Sequence, residues 1–191
     1  MEYSFNYKLI QNEFADFSAY TSWYAGWQKK FRLIYLLKTF IYSGISMIVT
    51  FFILTNLRPL KNKNYSSLFV TLTVINIILT CIHYYNAPIR IKKKAKKLVE
   101  KEENYHFLYD TETTFTNTGI LSIDKLSTTT YSWDSIVKFV VTKEYFYLYI
   151  SSIQGLIIPK RLFASQKEIE GFEKFITEKI PISSSFRSLG I

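Results

Sequence analysis

Residues 39–57, TFIYSGISMIVTFFILTNL, hold nineteen uncharged positions between Lys38 and Arg58. A second uncharged stretch, residues 64–89, separates Lys63 from Arg90, and its apolar centre is LFVTLTVINIILTCI at 68–82. A helix rises about 1.5 Å per residue, so roughly 20 residues cross a hydrocarbon layer of about 30 Å. Both runs qualify as spans, and both are too long for half-exposed helices of a soluble bundle. Their Ser and Thr side chains can bond carbonyls of their own helix, and Asn76 is placed to bond across to the other. Residues 58–64, RPLKNKN, are short and polar with one Pro, which predicts a tight turn closing the two spans into a hairpin. The first run starts too far from Met1 for a signal peptide, and no small-residue cleavage site follows it.

Working outward, charge sets the expected orientation. The chain has 191 residues, 24 Lys+Arg, 15 Asp+Glu and a net charge of +9. All of the excess lies in residues 1–103; residues 104–191 are neutral. Lys29, Lys30, Arg32 and Lys38 precede the first span, and Arg90, Lys92, Lys93, Lys94, Lys96, Lys97 and Lys101 follow the second. Only Arg58, Lys61 and Lys63 lie between them. Because positive flanks stay inside, both termini are expected in the cytoplasm. Cations that bracket apolar runs fit membrane flanks rather than a nucleic-acid surface. The lysines of 92–97 can attract anionic headgroups at about 1 kcal/mol each. The aromatic fraction of 18% excludes a disordered chain, and one Cys excludes a disulfide framework.

The flanks alternate between two periods. Tyr3, Phe5, Tyr7 and Leu9 share one face of an expected strand. Phe14, Phe17, Tyr24, Trp27 and Phe31 make a helical stripe over 11–31, with Trp23 and Trp27 beside Lys29 and Lys30 as a headgroup-level end. Residues 89–103 read as a basic helix with Ile91, Ala95, Leu98 and Val99 on one side and Pro88 kinking its entry. Strands are expected over 107–115, 126–133, 135–143, 145–152 and 155–159, with turns at 117–119, 143–144 and 154–155. Ser165 with Glu168 is a capping box opening a last amphipathic helix along Ile169, Phe172, Ile176 and Ile180. The fold class is therefore α+β: a two-helix transmembrane hairpin plus an antiparallel β domain closed by a C-terminal amphipathic helix. The domains are expected at 1–30 (strand and amphipathic helix joining the cytosolic part), 31–89 (hairpin) and 90–191 (basic helix and β domain).

Catalytic chemistry is not signalled. His83 and His106 have no Cys, Asp or Glu at metal-ligand spacing, and Cys81 lies inside the second span. No nucleophile elbow, phosphate loop or dinucleotide fingerprint occurs. Asp110, Glu112, Asp124 and Asp134 fall in strand or turn contexts as solvated carboxylates. We therefore expect no enzyme activity, no cofactor and no metal. Binding is the better expectation. Tyr145, Tyr147 and Tyr149 share one strand face that either packs against the N-terminal strand or a neighbouring helix or docks a partner, and Lys160 and Arg161 after Pro159 either form a solvated turn or meet a headgroup.

Gly119, Trp133 with Ile136, the run Ile158-Pro159-Lys160-Arg161 with Phe163, and the helix that follows resemble the YcxB-like proteins of bacteria. The layout agrees over nearly the whole chain and is sharpest at 119–172. The resemblance implies a PH-like cytosolic domain whose sheet is joined to the membrane hairpin, with the N-terminal strand pairing into the later sheet. It implies no catalytic residues. The expected role is a bacterial cytoplasmic-membrane interaction protein that binds a protein or lipid partner, with homo-oligomers allowed and no nucleic acid. The alternative, by analogy to related membrane proteins, is immunity against a membrane-active toxin.

Overall fold

The computed structural model describes residues 2–57 and 65–180. The chain divides into two compact units, one built from residues up to Ser22 and from Ile91 onward, the other from Trp23–Arg90. The predicted turn at 58–64 lies outside the described residues.

The first unit opens with β1 (Tyr3–Lys8) and α1 (Gln11–Ala19). It resumes with β2 (Asp110–Phe115), β3 (Ile120–Asp124), β4 (Thr128–Tyr131), β5 (Lys138–Val141), β6 (Tyr145–Tyr149) and β7 (Gly155–Pro159). All pairings are antiparallel, in a four-stranded sheet β1-β2-β3-β4 and a three-stranded sheet β5-β6-β7. The N-terminal strand does pair into the later sheet, with Tyr3 opposite Phe115 and Lys8 opposite Asp110. Its alternation decides which side is buried: Phe5 and Tyr7 are inside, Ser4 and Asn6 outside.

The last helix, α5 (Gln166–Lys179), lays Phe172, Phe175 and Ile176 into the core. The Phe172 ring lies 5.0–5.7 Å from those of Tyr3, Phe5, Phe115, Phe146 and Phe163. One side chain thus touches both sheets and the segment that enters α5. The capping box forms with an offset. Ser165 Oγ accepts from the Glu168 N–H at 3.2 Å, while Glu168 Oε2 accepts from the Ala164 N–H at 2.8 Å, one residue before the expected donor.

Several boundaries differ from the sequence reading. The strand predicted from 107 starts at Asp110, and residues Glu102–Leu108 form a 3₁₀ helix. The reason is pairing: β1 ends at Lys8, opposite Asp110, so nothing extends the ladder to Phe107. Strand β3 was not anticipated. It follows a turn in which Thr116 Oγ1 accepts the N–H groups of Thr118 and Gly119, so the chain folds straight back onto β2. The β6–β7 connection is residues 150–154, not a two-residue turn; Ile150 N–H bonds Gln154 O. Gly155 is already in the strand, where an added Cβ would lie 2.7 Å from Leu148 O. The single helix expected over 11–31 is interrupted by a π turn at Tyr20–Tyr24 and a 3₁₀ turn at Gly26–Gln28, with extended backbone at Ala25. Phe17 therefore serves the first unit, and Trp27 and Phe31 belong to the second.

The second unit contains α2 (Lys29–Leu57) and α3 (Tyr65–Tyr85). Both helices are long and apolar enough to cross a membrane. Their seam advances by four residues on each helix: Tyr35, Thr39, Ser43, Met47, Phe51 and Thr55 against Leu68, Leu72, Asn76, Thr80 and Tyr84, all at least half-buried. Ser43 Oγ meets Thr80 Oγ1 at 3.2 Å. Asn76 is buried beside Gly44, and its amide makes no hydrogen bond among the described residues, so the cross-helix bond expected of it is not made. Thr39, Ser43, Thr50, Thr71 and Thr73 return their hydroxyls to the carbonyl four residues earlier. The outer faces, such as Ile41, Ile45, Phe52, Val70 and Ile78, are exposed. The helix is interrupted at Asn86, the join where Pro88 was expected to act, and α4 (Ala87–Val99) begins with Pro88 in its first turn, where no N–H is needed.

Phe172→Ala should destabilise the first unit by about 3–5 kcal/mol, since a ring touching both sheets leaves a cavity none of them fills. Thermal unfolding of the purified chain measures this, and Leu126→Ala, at 69% exposure, should change it little.

Candidate functional site

The tyrosine stripe is occupied within the chain. Tyr147 and Tyr149 are each 1% exposed. The Phe17 ring of α1 lies 5.2 Å from Tyr147 and 5.5 Å from Tyr149. Tyr149 OH and Thr21 Oγ1 are 2.7 Å apart, and Tyr145 OH donates to Asp16 Oδ2 at 2.8 Å. The opposite face of β6, Phe146 and Leu148, lies in the main core, so this strand is buried on both sides. The face read as a docking surface is the seat of the protein's own first helix. Burial raises the phenols of Tyr147 and Tyr149; burial and the Asp16 hydrogen bond raise that of Tyr145. Tyr7, which donates to Ile157 O at 2.9 Å, is pushed up by burial to about 12.

Lys160 and Arg161 are also engaged. The Arg161 Nε lies 2.6 Å from Glu13 Oε1, its second nitrogen 3.1 Å from Oε2, and it donates to Lys8 O at 2.9 Å. Glu13 is 3% exposed and also accepts the Ile10 N–H at 3.0 Å, so the carboxylate has a partner for each oxygen. This pair ties the start of α1 to the 3₁₀ turn after β7. The guanidinium is held in its charged form chiefly by that hydrogen bond. Lys160 is half-buried with Nζ 4.8 Å from the Phe146 ring centroid, and desolvation lowers its pKa. Arg161 is thus bonded within the fold while its side chain stays exposed, and Lys160 lies partly buried over the Phe146 ring.

The basic helix divides its lysines. Ala95 and Val99 of α4 are buried and Ile91 is half-buried, whereas Leu98, expected on the same side, is exposed. Lys92 Nζ lies 2.5 Å from Asp16 Oδ1, which places Asp16 between Lys92 and Tyr145. Lys96 is half-buried; Lys93, Lys94 and Lys97 are exposed. Sequence reasoning missed Glu13 and Asp16, the acids that absorb two of the predicted surface cations. Their signal was position: both fall within the apolar-patterned segment 11–19, where a carboxylate needs a partner. No Asp or Glu occurs from residue 17 to 99, a stretch holding thirteen Lys and Arg. Among the described residues, no three His, Cys, Asp or Glu side chains gather where they could hold a metal ion.

These features define an α+β protein with two antiparallel sheets, a C-terminal helix and two helices of membrane-spanning length. The model of the YcxB-like protein family matches residues 115–176, from the end of β2 into α5. Over that segment the chain is similar to YcxB-like proteins, and the residues that carried the resemblance, Gly119 to Phe163, fall within it. Neither a curated protein nor a solved structure matches the chain.

Removing Arg161 leaves the Glu13 carboxylate buried and uncompensated. Arg161→Gln should destabilise the chain by about 2–3 kcal/mol, below the 3–5 typical of a fully buried pair, because the guanidinium side is half exposed. Chemical denaturation with Glu13→Gln/Arg161→Gln as the double variant checks it; the double should recover part of the loss.

The tyrosines set an alkaline limit. A phenol whose folded pKa exceeds its unfolded value near 10 gives its stabilisation fully below that value, and loses it as pH rises through the folded pKa. For Tyr7 the window runs from about 10 to about 12. Phenolate absorbance during an alkaline titration should show exposed tyrosines ionising first, and Tyr7, Tyr147 and Tyr149 ionising together with unfolding.

Proposed function

We propose that the chain is a bacterial cytoplasmic-membrane interaction protein, with a PH-like unit on the cytoplasmic side of a transmembrane hairpin and both termini inside. One observation carries the topology. β1 precedes the hairpin, β2 follows it, and they are paired over six residues. Both ends of the hairpin are thus tied to one folded unit, which requires them to leave the membrane on the same side. The flanking cations then favour the cytoplasmic side. The unpartnered apolar outer faces of α2 and α3 support insertion, since hydrocarbon is the solvent that suits them. The order of four strands, three strands and one helix supports the PH-like reading.

Binding, rather than catalysis, is the role this reading assigns. The acids that could act as chemical groups, Glu13 and Asp16, are saturated by structural partners. The tyrosine stripe and Arg161 also have partners within the fold. Lys93, Lys94 and Lys97 remain as an exposed cationic edge suited to anionic headgroups or an acidic partner.

Two measurements test this. In cells expressing the full chain with Cys81→Ser, an impermeant maleimide should label Asn62→Cys from outside but not Lys94→Cys. Labelling of Lys94→Cys in intact cells would reverse the topology. A photo-crosslinker at position 97 should recover phospholipid or protein adducts from membranes; crosslinking to neither would remove the cationic edge as a binding surface.

A further inference from the structure

At one end of the hairpin, Arg90, His83 and Tyr35 converge. Arg90 Nη2 donates to Tyr35 OH at 2.8 Å and to His83 O at 2.5 Å, and Nη1 reaches His83 Nδ1 at 3.1 Å. The polarity of this cluster follows from donor rules. A guanidinium has only donors, so His83 Nδ1 must accept, and the neutral ring then carries its proton on Nε2. Tyr35 OH accepts from Arg90, which leaves its own proton free to donate. Three of the five guanidinium N–H groups are used, and two remain. The free valences of all three side chains are therefore donors.

The surroundings favour an anion further. No carboxylate occurs anywhere in residues 17–99. Trp23 packs 5.3 Å from the Tyr35 ring and 5.1 Å from the Tyr84 ring, and Arg32 is bonded to the Trp23 and Ala25 carbonyls beside it. Tyr85 is 75% exposed. Aromatic rings with paired arginines at the end of two apolar helices are the composition of a headgroup-level belt. Arg90 and His83 are exposed, so the donors are accessible.

We propose that Arg90 and Tyr35 bind the phosphate group of a lipid headgroup, with His83 positioning the Arg90 guanidinium through Nδ1 and its carbonyl. A phosphodiester carries one negative charge and two unesterified oxygens, which match the guanidinium and the Tyr35 hydroxyl. The site rests on the membrane reading above, since it draws its ligand from the bilayer edge. It differs from the lysine edge of α4, which supplies charge without a fixed set of donors. Phosphate chemistry is shared by lipids and soluble phosphates, and the lipid is favoured because the flanking helices are apolar.

The test is native mass spectrometry of the full chain purified in detergent with phosphatidylglycerol, with diacylglycerol as the headgroup-free control. The wild type should retain phosphatidylglycerol and not diacylglycerol. Arg90→Gln should weaken retention roughly tenfold or more, and Tyr35→Phe, which removes one hydroxyl, about threefold. Inorganic phosphate that fails to displace the lipid supports the headgroup as source; complete displacement would overturn the lipid assignment in favour of a soluble phosphate. Equal retention by wild type, Arg90→Gln and Tyr35→Phe would overturn the site. If Arg90→Gln elutes as aggregate, Tyr35→Phe and Arg90→Lys decide: unchanged retention in both overturns the site. A wild-type chain that stays in solution without detergent would sink the membrane reading as well, whereas a detergent-requiring chain without Arg90-dependent retention sinks only the phosphate site.

Discussion

The pairing of Tyr3–Lys8 with Asp110–Phe115 joins two segments that are about 100 residues apart, and the rest of the molecule depends on that closure. Loop-closure entropy rises only logarithmically, by about 0.6 kcal/mol per doubling of length, so a long excursion is tolerable if the contact that ends it is good. Here it is good for a specific reason. Phe5 and Tyr7 are buried, Phe5 lies 5.7 Å from Phe172 and 4.9 Å from Phe163, and Tyr7 bonds the backbone of β7. Without β1, the sheet would lose an edge strand, Phe172 would lose two of its five ring partners, and Tyr7 would leave the Ile157 carbonyl.

In the bilayer setting proposed above, a two-helix hairpin with apolar outer faces has little to bind it internally, since lipid is as good a neighbour as Leu. Close approach and short polar contacts then matter more. The seam supplies both, with Gly44 against Asn76 and Ser43 against Thr80. Asn76 is the weak point, because a buried amide with no partner costs free energy wherever the dielectric is low. The seam therefore depends on the close approach at Gly44 and the Ser43–Thr80 contact.

Much of this was legible in the sequence, and the parts that were not share a cause. The two apolar runs, the alternation at Tyr3–Tyr7 and the Ser165–Glu168 cap are local signals, and each appears at its expected place. Strand β3 was missed although Ile120, Leu121 and Ile123 follow a Gly, because five residues between two turns carry little periodicity. The strand start at Asp110 was misplaced because it is fixed by where β1 ends. The binding candidates are more instructive. Tyr145, Tyr147 and Tyr149 look like a presented face only if nothing covers them, and what covers them, α1, is about 130 residues away in sequence. Likewise Arg161 resembles a surface cation until Glu13 is brought to it. At these positions the side-chain types and the strand alternation were legible, but partners from across the fold were invisible.

The distribution of acids gives those partnerships a direction. Of the cations around the hairpin, Lys92 is neutralised by Asp16, while Arg32 and Arg90 bond carbonyls, which leave their positive charge uncancelled. Glu13 is spent on Arg161, at the far end of the chain. A fold aiming only at stability would gain from a few carboxylates among thirteen cations, since like charges repel and opposite pairs at helical spacing contribute a few tenths of a kcal/mol each. Residues 17–99 contain none. An uncompensated positive field of this kind is tolerated where an external anion supplies the balance, and under the membrane topology proposed above the leaflet surface would be that anion. On that proposal, the absence of acids and the apolar outer faces answer to one environment.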